Sequence, residues 1–328
     1  MRIAAYIGGL LGLGLLITLV VRSDLSAMLC TLASGGPRLL WLIPYRALFF
    51  GLYAIGWLAL LRPYDPGRRA GFGYVFWVTA VREAVDRLLP VASVGGSVVG
   101  VRLLRWRRLP AASIGATVIV EIMLTLIVIY LFTAVGLVLL AGLGAGPEYR
   151  RLVLAFLLSL PVPVVTVLLL RYGSAFGRLQ RFLRPLVGVG TMSHQAASLD
   201  HELRACMRRG CRLLSAGSLQ FAALVSGCFE IWFALRLFGH PVDWTTALVL
   251  ESMTQAVRHL AFVVPAGLGV QEAGLIIFGH AFGIGSDLAL AVSMAKRMRE
   301  VLCGVPALLS WQWLEGRRLQ VVAGDASS

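Results

Sequence analysis

The chain has 328 residues, 58% of them hydrophobic and only 14% charged, with a mean hydropathy of +0.82. Soluble domains carry about 25% charged residues, so a soluble enzyme or binding module is excluded and an integral membrane protein is indicated. The formal charge is +14, and Lys296 is the only lysine among the basic residues; in a membrane chain such charge belongs to loops that fix orientation and meet anionic headgroups, so nucleic acid is not an expected partner.

A helix needs roughly 20 apolar residues to cross the hydrocarbon core. Residues 3–21 meet that length, and no small-x-small cleavage site follows in VVRSDLSAML, so this run is read as a retained span. Residues 39–61 form a second span. Region 71–108 does not fit a simple crossing: a helical run ends at Pro90, Gly95 and Gly96 follow, and the apolar piece 91–101 is about 16 Å long as a helix. It reads as a re-entrant hairpin, 71–101. Residues 111–140 are a third span and contain Glu121. Residues 152–170 are a fourth, kinked or broken near Pro161 and Pro163.

Segment 171–212 is a basic loop, in which RLQRFLRPLV (178–187) reads as an interfacial helix. Residues 213–235 are a fifth span. Region 245–283 repeats the earlier irregularity: helix, Pro265, Gly267 and Gly269, then a run too short to cross. Residues 287–313 are the last span, and 317–328 a short tail. With both irregular regions re-entrant, eighteen basic residues fall on one side and five on the other, which places both termini in the cytoplasm. The expected fold is therefore all-α and polytopic. It has about six spans and two re-entrant hairpins entering from opposite faces, in one membrane domain, 1–316. The shared helix–Pro–Gly-Gly–short-helix pattern indicates an inverted-topology repeat.

VVPAGLGVQEAG (263–274) is the stretch richest in chemistry. Irregular backbone at membrane depth is tolerated where it is buried in protein or lines a wet cavity. Short helices starting near Gly96 and Gly269 would aim their positive ends at one mid-membrane space, and such ends attract phosphate or carboxylate. Gly267 and Gly269 would let a headgroup approach, with Gln271 and Glu272 as polar contacts. In SMAKRMREVL (293–302) four charges, Lys296, Arg297, Arg299 and Glu300, sit near the centre of the last span. Left unpaired they would cost roughly 10 kcal/mol. Lys296 and Glu300 are one turn apart and can pair, leaving Arg297 and Arg299 for a phosphate-bearing ligand. The alternative is a structural knot with Glu121 or Glu272. Glu121 sits either near the interface or at mid-helix as the partner of Arg297. Glu251, Gln255, Arg258 and His259 share a helical face, and Arg82/Asp86 and Glu83/Arg87 are four apart; the latter read equally well as self-paired surface charge.

No HExxH, GxSxG or P-loop is present, so no catalytic residue, cofactor or metal site is assigned. The five cysteines are scattered and indicate neither zinc nor a structural disulfide.

The segments LLPVASVGGSVVGVRLLR and VVPAGLGVQEAG, followed by an Arg-bearing last helix, resemble the flippase-like family named for the transmembrane region of lysylphosphatidylglycerol synthase. PVASVGGSVVGVRLL, PAGLGVQEAG and AKRMREVLCGVPALLSWQ are most similar to its hopanoid-biosynthesis-associated subgroup. The resemblance covers roughly 40–315. It implies a bacterial inner-membrane protein that binds and moves an amphipathic lipid, either an anionic phospholipid or a hopanoid. Its implied partners are membrane lipids, with a homo-oligomer or a complex with lipid-biosynthesis enzymes as options. Carried over position by position, its functional residues fall on Gly95, Gly96, Arg102, Gly267, Gly269, Gln271, Glu272 and Arg297. The family commonly has an acid just after the first glycine pair, where this chain has Ser97; that shifts weight onto Glu272. The synthase's soluble aminoacyl-transfer domain has no counterpart in this sequence. A membrane-embedded lipid-modifying enzyme, or a non-catalytic partner of such enzymes, are the rival readings.

Overall fold

The computed structural model describes residues 30, 33–89, 95–142, 148–172, 192–260, 264 and 267–327. The expected first span 3–21, Pro90, Pro265 and the expected interfacial helix 178–187 lie outside these residues. All regular structure among the described residues is helical.

We number the helices α1 (Leu42–Leu61), α2 (Phe72–Leu88), α3 (Gly95–Arg105), α4 (Ala111–Gly142), α5 (Glu148–Ser159), α6 (Pro161–Tyr172), α7 (Met192–Met207), α8 (Gly210–Leu237), α9 (Trp244–Leu260), α10 (Val270–His280) and α11 (Ser286–Ser327). Four described stretches are long and apolar enough to cross a membrane: Ala33–Tyr64, which contains α1, then Ala111–Gly142, Tyr149–Leu170 and Gly210–Leu237. The third is broken at Leu160, where Pro161 opens α6. Proline suits a first helical position, where its missing N–H is no loss. At 42 residues α11 is also long enough, but four charged side chains interrupt its apolar run. It continues to Ser327, so residues 317–327, the expected short tail, are helical.

The order long helix, 17-residue arm, 11-residue arm, long helix occurs twice, as α1–α4 and as α8–α11. Helices α1 and α8 lie antiparallel. Tyr45 stacks on Phe229 at 4.1 Å and donates to the Ser226 carbonyl at 3.0 Å, while at the other end Arg212 donates to the Ala59 carbonyl at 3.0 Å. Gly56 against Ala216 lets the two backbones approach, as small residues do where lipid offers no hydrophobic drive. Each long hairpin arm packs on the last helix of the other set. Arm α2 lies on α11, where Trp77 donates to Ser310 at 2.8 Å and Gly304 leaves room for Leu88. Arm α9 lies on α4, where Gly136 faces Ser252 and Leu137 packs with Val249 and Met253.

One end of the molecule gathers the arginines that follow α1, follow α3, precede α8 and lie late in α11. There Tyr64 bonds the Glu202 carbonyl and stacks under Arg209, and Arg107 lies over Tyr74.

Candidate functional site

Lys296 lies ten residues into α11, about 15 Å along its axis, or half of a ~30 Å hydrocarbon core. Glu121 lies ten residues into α4 and Arg82 ten into α2. Each of these three charges therefore lies well inside its helix.

Other charged residues inside the helices form a connected cluster. Arg46 on α1 donates to Glu83 on α2 at 2.6 Å and lies 3.8 Å from Glu230 on α8. Arg87 meets Glu83 at 2.9 Å and Glu300 at 3.2 Å. Arg299 meets Glu230 at 3.0 Å, and Arg297 meets both Glu300 and Glu272 at 3.2 Å. Four arginines and four glutamates therefore balance. Eight such charges left alone at a helix centre would cost roughly 20 kcal/mol or more, beyond the stability of a whole domain, so pairing is obligatory. Arg46 also sits 3.7 Å over the Phe49 ring. The cluster is not sealed: the side chains of Arg297 and Glu83 are 15% and 25% exposed, whereas Glu272 is fully buried.

The second hairpin turn is built onto this cluster. Gly267 and Gly269 take φ of +62° and +73°, a region that side chains other than glycine rarely occupy. Gly269 caps α10, which places Gln271 and Glu272 in its first turn, facing α11. Ser293 donates to Glu272 Oε1 at 3.0 Å and accepts from Gln271 at 3.3 Å. Arg297 donates to the same Oε1 and, at 3.3 Å, to the Gly267 carbonyl. Glu272 Oε2 is buried without a hydrogen-bond partner. Arg258, half-buried on α9, lies against Gly267, where an added Cβ would stand 3.1 Å from its Cγ and Nε.

The first hairpin turn is closed differently. The Gly96 amide donates to Asp86 Oδ1 at 2.8 Å, so the positive end of α3 is already occupied by a side chain of its own hairpin. A Cβ at Gly96 would overlap the Arg82 carbonyl and lie 2.5 Å from Asp86 Oδ2, which is why glycine stands there. Gly95 is half-buried beside it. The two hairpins are bridged by Arg87 of α2 through Glu300 and Arg297 of α11.

Several expectations need correction. Lys296 pairs with Glu251 on α9 at 2.6 Å and not with Glu300, because helix α9 brings the acid to its face of α11. Arg299 is paired with Glu230 at 3.0 Å. Glu121 is the partner of Arg82 at 2.7 Å, not of Arg297. Charges 82–87 are turned inward: the Glu83–Arg87 pair expected from the spacing forms, but inside the cluster and not on the surface. Arg102 lies away from the turns at the arginine-rich end, 62% exposed and paired with Glu315.

The pairs Arg82–Glu121 and Glu251–Lys296 occupy matching places in the two halves, long arm to following helix, with the signs reversed. Arg46 and Glu230 went unassigned in the sequence reading. The signal was present, since each is a lone charge well inside an apolar helix, and such residues are functional or paired by default.

A family model described as lysylphosphatidylglycerol synthase TM region matches residues 6–306. No curated protein and no solved structure matches the chain.

Proposed function

The chain belongs to the lysylphosphatidylglycerol synthase TM region family, and from that premise we propose that it binds an amphipathic lipid at the junction of its two hairpins and moves it between leaflets without making or breaking bonds. Membership of the family gives a membrane protein with a lipid-related role. The observation that carries the finer reading is the bridge Arg87–Glu300–Arg297, which joins both broken hairpins at mid-depth and leaves Arg297 partly exposed. A guanidinium held there is a phosphate-binding group in a low-dielectric setting. Because Glu272 and Glu300 already neutralise it, a headgroup enters by exchanging partners: its phosphate takes Arg297 while a glutamate is released to a cationic or hydroxyl group of the same lipid. The resemblance of the three segments to the hopanoid-associated subgroup supports a hopanoid or a co-resident anionic phospholipid as cargo.

The test is reconstitution into vesicles carrying a trace of fluorescent phospholipid, with a membrane-impermeant reductant reporting which leaflet holds it. Wild type is expected to equilibrate the probe, and Arg297→Gln to lose that activity while Arg150→Gln, at an exposed position on α5, keeps it. Equal rates for wild type and Arg297→Gln, both verified as folded by thermal melting, would remove Arg297 from the pathway. Mass spectrometry of lipid retained by purified protein names the cargo.

A further inference from the structure

We infer a second lipid site, separate from the mid-depth cluster: an anionic phospholipid headgroup of the arginine-rich face is held in the groove between α3 and α11. The groove measures about 420 Å³ and is lined by Arg102, Trp311, Gln312, Glu315 and Gly316. Trp311 in the groove wall lies fourteen residues beyond Arg297, about 21 Å along α11. That distance passes the ~15 Å half-thickness of the hydrocarbon core and reaches headgroup level.

Its chemistry is that of a phosphate clamp at an interface. Glu315 holds two walls in place, accepting from Arg102 Nη2 with one oxygen and from the Trp311 indole N–H at 2.9 Å with the other. The rest of the Arg102 guanidinium faces the groove opening, at 62% side-chain exposure. A further guanidinium is fixed on an aromatic face at the same end: Arg318 lies 4.6 Å over Trp106, while Arg317 lies 3.9 Å over Trp313 on another face of α11. With Arg105 and Arg108 also exposed, Glu315 is far outnumbered by cations. Indole and tyrosine rings with arginines at this depth are the pattern of a membrane interface, and basic pockets between helices at that level take anionic headgroups.

The acyl chains also have a seat. Val301, Val305, Leu309 and Trp313 follow Arg297 at successive intervals of four on α11, and each is 42% exposed or more. They form one apolar stripe from the mid-depth cluster to the groove. A lipid whose phosphate rests on Arg102 lays its chains along that stripe. This assignment stands whether or not the protein moves lipid.

The experiment uses the full chain in vesicles or nanodiscs containing lipids with brominated acyl chains, which quench nearby tryptophan. Brominated phosphatidylglycerol is expected to quench more than brominated phosphatidylcholine at equal mole fraction. The excess should vanish in the double variant Trp311→Phe/Trp313→Phe, which removes the tryptophans of the groove and the stripe, and fall by about fivefold for each of Arg102→Gln and Arg318→Gln. Both arginines are exposed, and thermal melting verifies that the variants are folded. Equal quenching by the two lipids, or an excess that survives Arg102→Gln and the double tryptophan variant, would overturn the site. An excess abolished by inorganic phosphate at unchanged ionic strength would reassign the groove to a soluble phosphate compound and overturn the lipid assignment.

Discussion

Glu230→Gln is the sharpest probe of the buried cluster. The substitution keeps shape and removes one charge. Glu230 is 3% exposed, accepts from Arg299 at 3.0 Å and lies 3.8 Å from Arg46. Arg46 retains Glu83 at 2.6 Å, but Arg299 has Glu230 as its salt-bridge partner and loses it. Stripping one partner from a buried pair costs about 3–5 kcal/mol, because the charge left behind stays desolvated. A solvated surface pair would cost about 0–1 kcal/mol. The two outcomes are well separated. Equilibrium unfolding in mixed micelles measures the loss, and a cycle with Arg299→Gln and the double variant isolates the pair. The single variants should each lose several kcal/mol, and the double should recover at least half of the summed loss. Single losses below about 1 kcal/mol with no coupling would show that these charges are hydrated, and the argument for a desolvated mid-depth layer would fail.

Three further outcomes are expected. Glu251→Lys and Lys296→Glu should each prevent stable folding, while the double swap restores the 2.6 Å pair and most of the yield of monodisperse protein on size-exclusion chromatography; no rescue would mean that the surroundings, not the pair, dictate the signs. Gly267→Ala, forced to φ +62° and pressed onto Arg258, should cost about 1–2 kcal/mol and slow lipid movement, read in the vesicle assay. A maleimide reagent at pH 7.5 should label the exposed Cys211 and spare Cys206, whose burial pushes its thiol up to about 11; since the thiolate is the nucleophile, Cys206 should begin to react only as the pH climbs toward that value, and rapid labelling at neutral pH would show that α7 does not pack as described.

The class of this protein and the location of its unusual residues were legible in the sequence, because hydrophobic length and charge are local properties. An apolar run long enough to cross, an arginine surplus in loops and a glycine pair where a helix should continue are each visible without knowing any neighbour. The 17- and 11-residue arms were likewise anticipated in outline as two broken hairpins, and Gly267, Gly269, Gln271, Glu272 and Arg297 do converge. Which charge neutralises which was decided only by the tertiary structure. Helical spacing puts Lys296 and Glu300 within reach of each other, yet packing supplies Glu251 to the first and Arg87 to the second, which takes Arg297 and not Lys296 as its partner within the helix. Arg102 shows the same limit: seven residues past Gly95 on a short helix, it stands at the far end of the hairpin, facing α11 at Glu315. A sequence records the charges that must be compensated in a low dielectric. The partner is fixed by which helices the fold lays side by side, and Coulomb energy then selects among the neighbours that packing provides.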